Sequence, residues 1–190
     1  MKNIAGMSAK IDADIIRSAQ LFEKLKIFSI WEWEHYRAGK LIDQWVDGNL
    51  MVDEGITYYL GSAFSAVTPI VLWYIALFED DHSPAAGNTY AVPGFTETTA
   101  YDEATRPQWQ EAGVAAKVLT NSANKASFTF NATKSIYGGA LVGGGSTPTT
   151  KDDQAGGGTL ICVSQFTSGS KAVVSTDVLK VTVSITGSDV

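Results

Sequence analysis

The first regular pattern along the chain is helical. From Ser8 onward, Ile11, Ile15, Ala19, Phe22 and Leu25 recur at intervals of about three to four residues, while Lys10, Arg17, Gln20 and Lys24 fall on the other face. Ser8 is placed to cap the first turn, and Asp12 and Asp14 lie near the positive end of the dipole. The spacing predicts an amphipathic helix over residues 8–26, which packs either on its own body or on a neighbouring copy. At Trp31 the period changes to two. Trp31, Trp33 and His35 alternate with Glu32, Glu34 and Tyr36, and Leu41 to Val46 follows Ala38-Gly39, so these runs predict a β-hairpin with glycine in its turn. Asp53 opens a second helical stretch, closed before Pro69, in which Ile56, Tyr59, Leu60, Ala63 and Phe64 share one face. That face is expected to lie against the sheet.

Ile70 to Phe78 is an almost unbroken apolar run of nine residues and predicts a central strand covered on both faces. Glu79 to Thr99, with Pro84, Gly87, Pro93 and Gly94, shows little periodicity and reads as a long surface excursion, continued by turn-rich sequence from Tyr101 to Trp109. Loops of that length are usually functional or interfacial. Further on, Ala126, Phe128 and Phe130 alternate with Ser127, Thr129 and Asn131. Leu179, Val181, Val183 and Ile185 alternate with Lys180, Thr182, Ser184 and Thr186. Each predicts a strand with one wet face. Eight glycines between Gly138 and Gly158 predict a hairpin lobe. The expected fold is mainly β: an antiparallel β-sandwich or jelly-roll-like barrel with an N-terminal amphipathic helix and one further helix packed on the sheet. Residues 1–26 form a helical arm in this reading. Residues 27–190 form a single β-rich domain with the Gly-rich lobe near 138–158.

Composition narrows the function. At 190 residues, with 45% hydrophobic and 18% charged residues, the chain suits one folded domain and not a disordered one. Fourteen Lys and Arg against 20 Asp and Glu give a net charge of −6, which disfavours direct binding to nucleic acid. The charge is uneven, since residues 51–110 carry one basic and eight acidic groups. Cys162 is the only cysteine, so no internal disulfide forms, and with two histidines it makes no ordinary Cys/His zinc site. The longest apolar run is about half of what spans a bilayer as a helix. Lys2 and Lys10 are followed by Asp12 and Asp14 without an apolar run, so no secretory leader is expected.

Candidate chemistry is sparse. Glu79, Asp80, Asp81 and His82 form the densest titratable cluster but lack the spacing of a calcium loop, and read as a solvated turn at a strand end. His35, on an alternating strand, reads as a hydrogen-bonded wall residue. Ser62 follows Gly61, but Leu60-Gly61-Ser62-Ala63-Phe64 lacks the second glycine of a nucleophile elbow and sits in a helical pattern. Gly143 to Gly145 lack the Lys and Ser/Thr of a phosphate loop. Trp31, Trp33, Trp45, Trp73 and Trp109 read as core in preference to exposed sugar platforms. Asn131-Ala132-Thr133 matches a glycosylation sequon, which has no meaning without secretion. The expectation is a contact protein with no catalytic residue, no cofactor and no metal, and not an enzyme.

The run His35-Tyr36-Arg37-Ala38-Gly39-Lys40-Leu41-Ile42-Asp43 continues through Asn49 and Val52-Asp53-Glu54-Gly55 to Trp73-Tyr74-Ile75-Ala76-Leu77-Phe78. Later come Tyr101-Asp102-Glu103-Ala104-Thr105-Arg106-Pro107-Gln108-Trp109, Thr120-Asn121-Ser122-Ala123-Asn124-Lys125-Ala126, Phe128 to Lys134 and Ile136-Tyr137-Gly138. Across residues 30–186 this sequence resembles a family of small virion proteins of tailed double-stranded DNA bacteriophages, several of which are similar to capsid cement or decoration proteins. The resemblance implies a protein made in the host bacterial cytoplasm and carried on the capsid surface of the virion. There it would stabilise the shell by bridging neighbouring major capsid proteins, as a dimer or trimer, with no direct nucleic-acid or membrane partner. The contacts expected are Ile11, Ile15, Arg17, Phe22 and Lys24 on the arm, Asp80, Asp81 and Phe95 on the long loop, and Tyr101 and Arg106 after it. The alternative is a head-fibre, tail or receptor-binding β-rich module that recognises host surface glycans.

Overall fold

The structure is a computed structural model that describes residues 25–189. Within it the chain is mainly β, with antiparallel sheets and one helix. The order is β1 (Leu25–Arg37), β2 (Lys40–Gly48), β3 (Leu50–Met51), α1 (Asp53–Phe64), β4 (Trp73–Phe78), β5 (Gln108–Trp109), β6 (Val118–Thr120), β7 (Ala126–Thr129), β8 (Lys134–Ile136), β9 (Gly138–Gly143), β10 (Thr159–Gln165), β11 (Lys171–Val173) and β12 (Val178–Asp189). Phe28–Thr186 form one compact body. The described residues outside it, Leu25–Ile27 and Gly187–Asp189, belong to a second small unit.

One five-stranded sheet runs β2-β1-β12-β6, with β7 also pairing β12; the other runs β3-β10-β9-β4-β5; β8 and β11 form a two-stranded ribbon. The predicted hairpin is β1–β2, with Trp33 opposite Trp45. Ala38 and Gly39 take φ of 48° and 75° in its turn, the left-handed pair that a tight hairpin turn requires. The pleat sorts side chains between two cores. Ile75 and Leu77 of β4, Leu141 of β9 and Cys162 of β10 meet Trp31 and Trp33 of β1 and Val181 and Val183 of β12 in one cluster drawn from both sheets. Tyr74, Phe78, Ala140, Val142, Leu160 and Val163 point the other way into a second cluster with Val52, Tyr90 and Phe95. The second sheet is therefore covered on both faces. The Trp109 indole N–H adds a tie between the sheets, donating to the Val183 carbonyl at 3.1 Å.

Three expectations change. The strand expected over Ile70–Phe78 begins at Trp73, and the central place beside it is taken by β9, buried along its whole length. The lobe expected near 138–158 is thereby confined to residues 144–158. The glycines of β9 serve close packing, since a Cβ on Gly138 would stand 2.1 Å from the Ser164 carbonyl oxygen and one on Gly139 would meet the Trp33 ring at 2.9 Å. The segment after Phe78 runs along the surface as expected but is not only an excursion; its Tyr90, Pro93, Phe95, Glu97 and Thr98 are buried and close the outer face of the second sheet. The helix expected over residues 8–26 lies outside the described residues, except that Leu25 and Lys26 are strand.

Candidate interaction surface

Helix α1 is held by its first turn. The Glu54 carboxylate accepts the backbone N–H groups of Tyr90 at 2.8 Å and Leu160 at 2.7 Å, and the Asp53 N–H donates to the Ala86 carbonyl at 2.9 Å. Gly55 lies directly on β10, so close that a Cβ there would stand 2.3 Å from the Ile161 carbonyl oxygen. One and two turns on, Tyr58 meets the Trp73 ring edge-on at 5.4 Å and Ser62 continues the same side. These contacts fix the roll of the helix. Positions 54, 55, 58 and 62 face the body, and the opposite stripe of Ile56, Tyr59, Leu60, Ala63 and Phe64 faces solvent. The helix packs on the sheet as expected, but by the other face. A glycine and a carboxylate with two amides to satisfy outrank the apolar stripe in setting its orientation.

The chain then doubles back along α1. The Tyr58 hydroxyl accepts the Ile70 N–H at 2.6 Å, and Val67 covers Gly61, where a Cβ would meet its Cγ2 at 2.9 Å. This strap, residues 65–72, extends the apolar surface: Ile56 is 43% exposed, Tyr59 37%, Leu60 51%, Phe64 80%, Val67 45%, Val71 82% and Leu72 47%. No charged residue occurs between Glu54 and Glu79. Beside the strap lies an open groove of about 250 Å³ lined by Ile70, Val71, Trp73, Trp109 and Leu119 with Gln108 and Glu111.

Elsewhere charge is turned inward on itself. Arg106 is buried, with its Nε donating to Glu97 at 2.9 and 3.1 Å and its Nη1 to the Tyr90 hydroxyl and the Pro148 carbonyl at 3.1 Å each. The Tyr90 hydroxyl donates to Asp153 at 2.8 Å. Burial opposes the charge on Arg106, but hydrogen bonds and the field of Glu97 outweigh it and hold the guanidinium ionised, above its ordinary value. The free space among these groups is about 10 Å³, no more than one water occupies, so this is a strut and not a ligand pocket. His35 is buried and its Nε2 lies 2.8 Å from Asp177, which also receives Arg37 at 2.7 and 2.8 Å. This fits the wall role read from sequence.

The expected contact residues divide three ways. Asp80 and Asp81 stay at the surface, Asp80 accepting the Thr96 N–H at 2.8 Å and Asp81 the Gln165 side-chain amide at 2.9 Å. Phe95, Tyr101 and Arg106 are instead buried within the chain, 7%, 1% and 3% exposed. Phe95 stacks on Phe78 at 4.9 Å and Tyr101 meets Phe128 edge-on at 5.1 Å. They went inward because an irregular segment supplies the second core, and such a segment carries no period that separates inside from outside. Ile11, Ile15, Arg17, Phe22 and Lys24 lie outside the described residues. Sequence reasoning missed Val67, Val71, Leu72 and the groove. The signal that would have found them is the charge-free run itself, too long to be covered by one helix contact.

Among the described residues no three His, Cys, Asp or Glu side chains are grouped so as to hold a metal ion, and no helix is long and apolar enough to cross a membrane. Comparison with protein-family models and with curated proteins finds no match to this chain.

Proposed function

We propose that the protein is a structural contact protein of a tailed bacteriophage virion, a capsid cement or decoration protein. It binds the outside of the shell and bridges neighbouring major capsid proteins. The observation that carries this reading is the helix and strap, which present seven partly bare apolar side chains to solvent on a chain whose net charge is −6. A surface of that kind marks a protein contact. The sequence resemblance to small phage virion proteins supplies the shell as the assembly. A core drawn from both antiparallel sheets supports a β-sandwich body, stiff enough to carry load between subunits. In this reading the capsid is met by the arm, residues 8–26, and by Asp80 and Asp81, whose charge steers the body to basic patches and fixes register. Repetition over the shell multiplies a modest affinity. The glycan-binding alternative draws less support, because three of the five tryptophans, Trp31, Trp33 and Trp109, are buried in the core.

The test is decoration of purified heads that lack this protein. The full chain is expected to co-sediment with heads and raise the temperature at which they release DNA. A chain without residues 1–26 is expected to fold and fail to bind. Binding to tails or to a glycan array, with none to heads, overturns the reading.

A further inference from the structure

We propose that the helix and strap join two copies of the chain about a twofold axis, with Phe64 of each copy seated in the groove beside Val71 of the other. The inference rests on the contact reading above and names the partner of that surface. Three observations favour a second copy over other occupants. The first is size. At the exposures given, the seven side chains leave on the order of 700 Å² open to solvent. That is close to the ~800 Å² each partner gives to a standard interface and more than the ~300–600 Å² of the largest patch on a typical monomer.

The second is charge. Two copies each bearing −6 repel wherever their carboxylates approach, and residues 55–78 are where that repulsion is least, since no ionisable acid or base occurs there apart from tyrosine. A strongly charged partner would find no complement on the helix and strap after Glu54, and Glu111 alone in the groove beside them. The third is self-complementarity, which a twofold contact demands because each patch must fit itself. The face carries both halves of a fit: a projecting ring, Phe64 at 80% exposure, and a groove of about 250 Å³ that shares Ile70 and Val71 with the strap and adds Trp73, Trp109 and Leu119, with Gln108 and Glu111 as its polar part. An apolar space of about 150 Å³ already accepts a benzene-sized ring.

The experiment is sedimentation velocity on the full chain from about 1 to 100 µM, a range that brackets an ordinary dimer. Wild type is expected to be dimeric, and Phe64→Glu to weaken association by at least about a hundred-fold, as burial of an unpaired charge at an interface centre does. Leu119→Trp, which fills the groove, is expected to do the same. Phe64 is a surface residue within one chain, so Phe64→Glu keeps the wild-type melting profile of the monomer. Val46→Glu, on the exposed edge of β2, is expected to leave the dimer intact. A wild type that stays monomeric throughout overturns the pairing, as does a dimer that neither Phe64→Glu nor Leu119→Trp disturbs. A monomer that dimerises only after removal of residues 1–26 also overturns it, by showing that the chain's own arm covers the face. Decoration of heads by a monomeric wild type would sink the pairing and leave the cement reading standing; a dimer that binds no head would do the reverse.

Discussion

Arg106 and Glu97, nine positions apart, face each other inside the protein, with the guanidinium Nε shared between both carboxylate oxygens at 2.9 and 3.1 Å. Arg106 also donates to the carbonyls of Pro148 and Asp153 at 3.1 Å. One buried cation thus ties the glycine-rich loop to the segment that covers the second sheet. Pairs of this kind add little net stability when whole and are damaging when halved.

Replacing Arg106 with Met leaves Glu97 buried without a counter-charge, and a loss of about 3–5 kcal/mol is expected from urea unfolding. The double variant Arg106→Met/Glu97→Leu removes the stranded charge and is expected to recover most of that loss. If both variants unfold at the same midpoint, the pair is not what holds the loop.

Gly55→Ala sets two effects against each other. Alanine favours the helical backbone by up to about 1 kcal/mol. Its Cβ, however, would stand 2.3 Å from the Ile161 carbonyl oxygen, and a strand backbone cannot yield as a side-chain tip can. The clash wins, and a net loss of about 1–3 kcal/mol is expected. Gly61→Ala meets only Val67, a side chain on the strap, and is expected to lower the melting temperature less.

Asp177 makes stability depend on acid. Hydrogen bonds from Arg37, aided by the Val174 N–H and His35, hold its carboxyl well below the usual range against the opposing effect of burial. Its unfolded value is ~3.9, so its stabilising contribution is complete above about pH 5 and is lost as pH falls from there toward the lower folded value. Urea midpoints from about pH 5 down to 2 are expected to fall steeply for the wild type and less steeply for Asp177→Asn. Equal slopes would mean that Asp177 is not held in its charged form.

Cys162 is fully buried, and burial pushes its thiol up to about 11. A thiol-specific colour reagent is expected to give no reaction with the native protein at pH 8 and one thiol per chain in denaturant. Fast native labelling would mean that the core opens readily.

Much of this architecture is legible in the sequence where one face of a strand is wet. Trp31 and Trp33 against Glu32 and Glu34, and Val181 and Val183 against Thr182 and Ser184, show their inward sides by a period of two, and the Val183 side chain is indeed fully buried. The hairpin and α1 are legible for the same kind of reason, from period and turn chemistry. Legibility fails where burial comes from elsewhere. Gly138 to Gly143 read as a loop because glycine is a turn residue, yet here its missing side chain lets neighbouring backbones and rings close in. Phe95 and Arg106 sit in a stretch without period. The roll of α1 was misread because its stripe of Ile56, Leu60 and Phe64 outweighs Gly55 in any count of hydrophobic positions, although Gly55 makes the tighter contact.

The place of β12 bears on how the protein is made. It lies between β1 and β6 in the first sheet and, through Val178 to Val181, pairs with β7 as well. A ribosome delivers β1 and β2 early and this strand last, so the hairpin waits through synthesis of everything between with one flank unpaired. Until Val181 and Val183 emerge, Trp31 and Trp33 lack the wall that these residues form. A polypeptide halted before Val178 has every other described element and no means of closing the sheet.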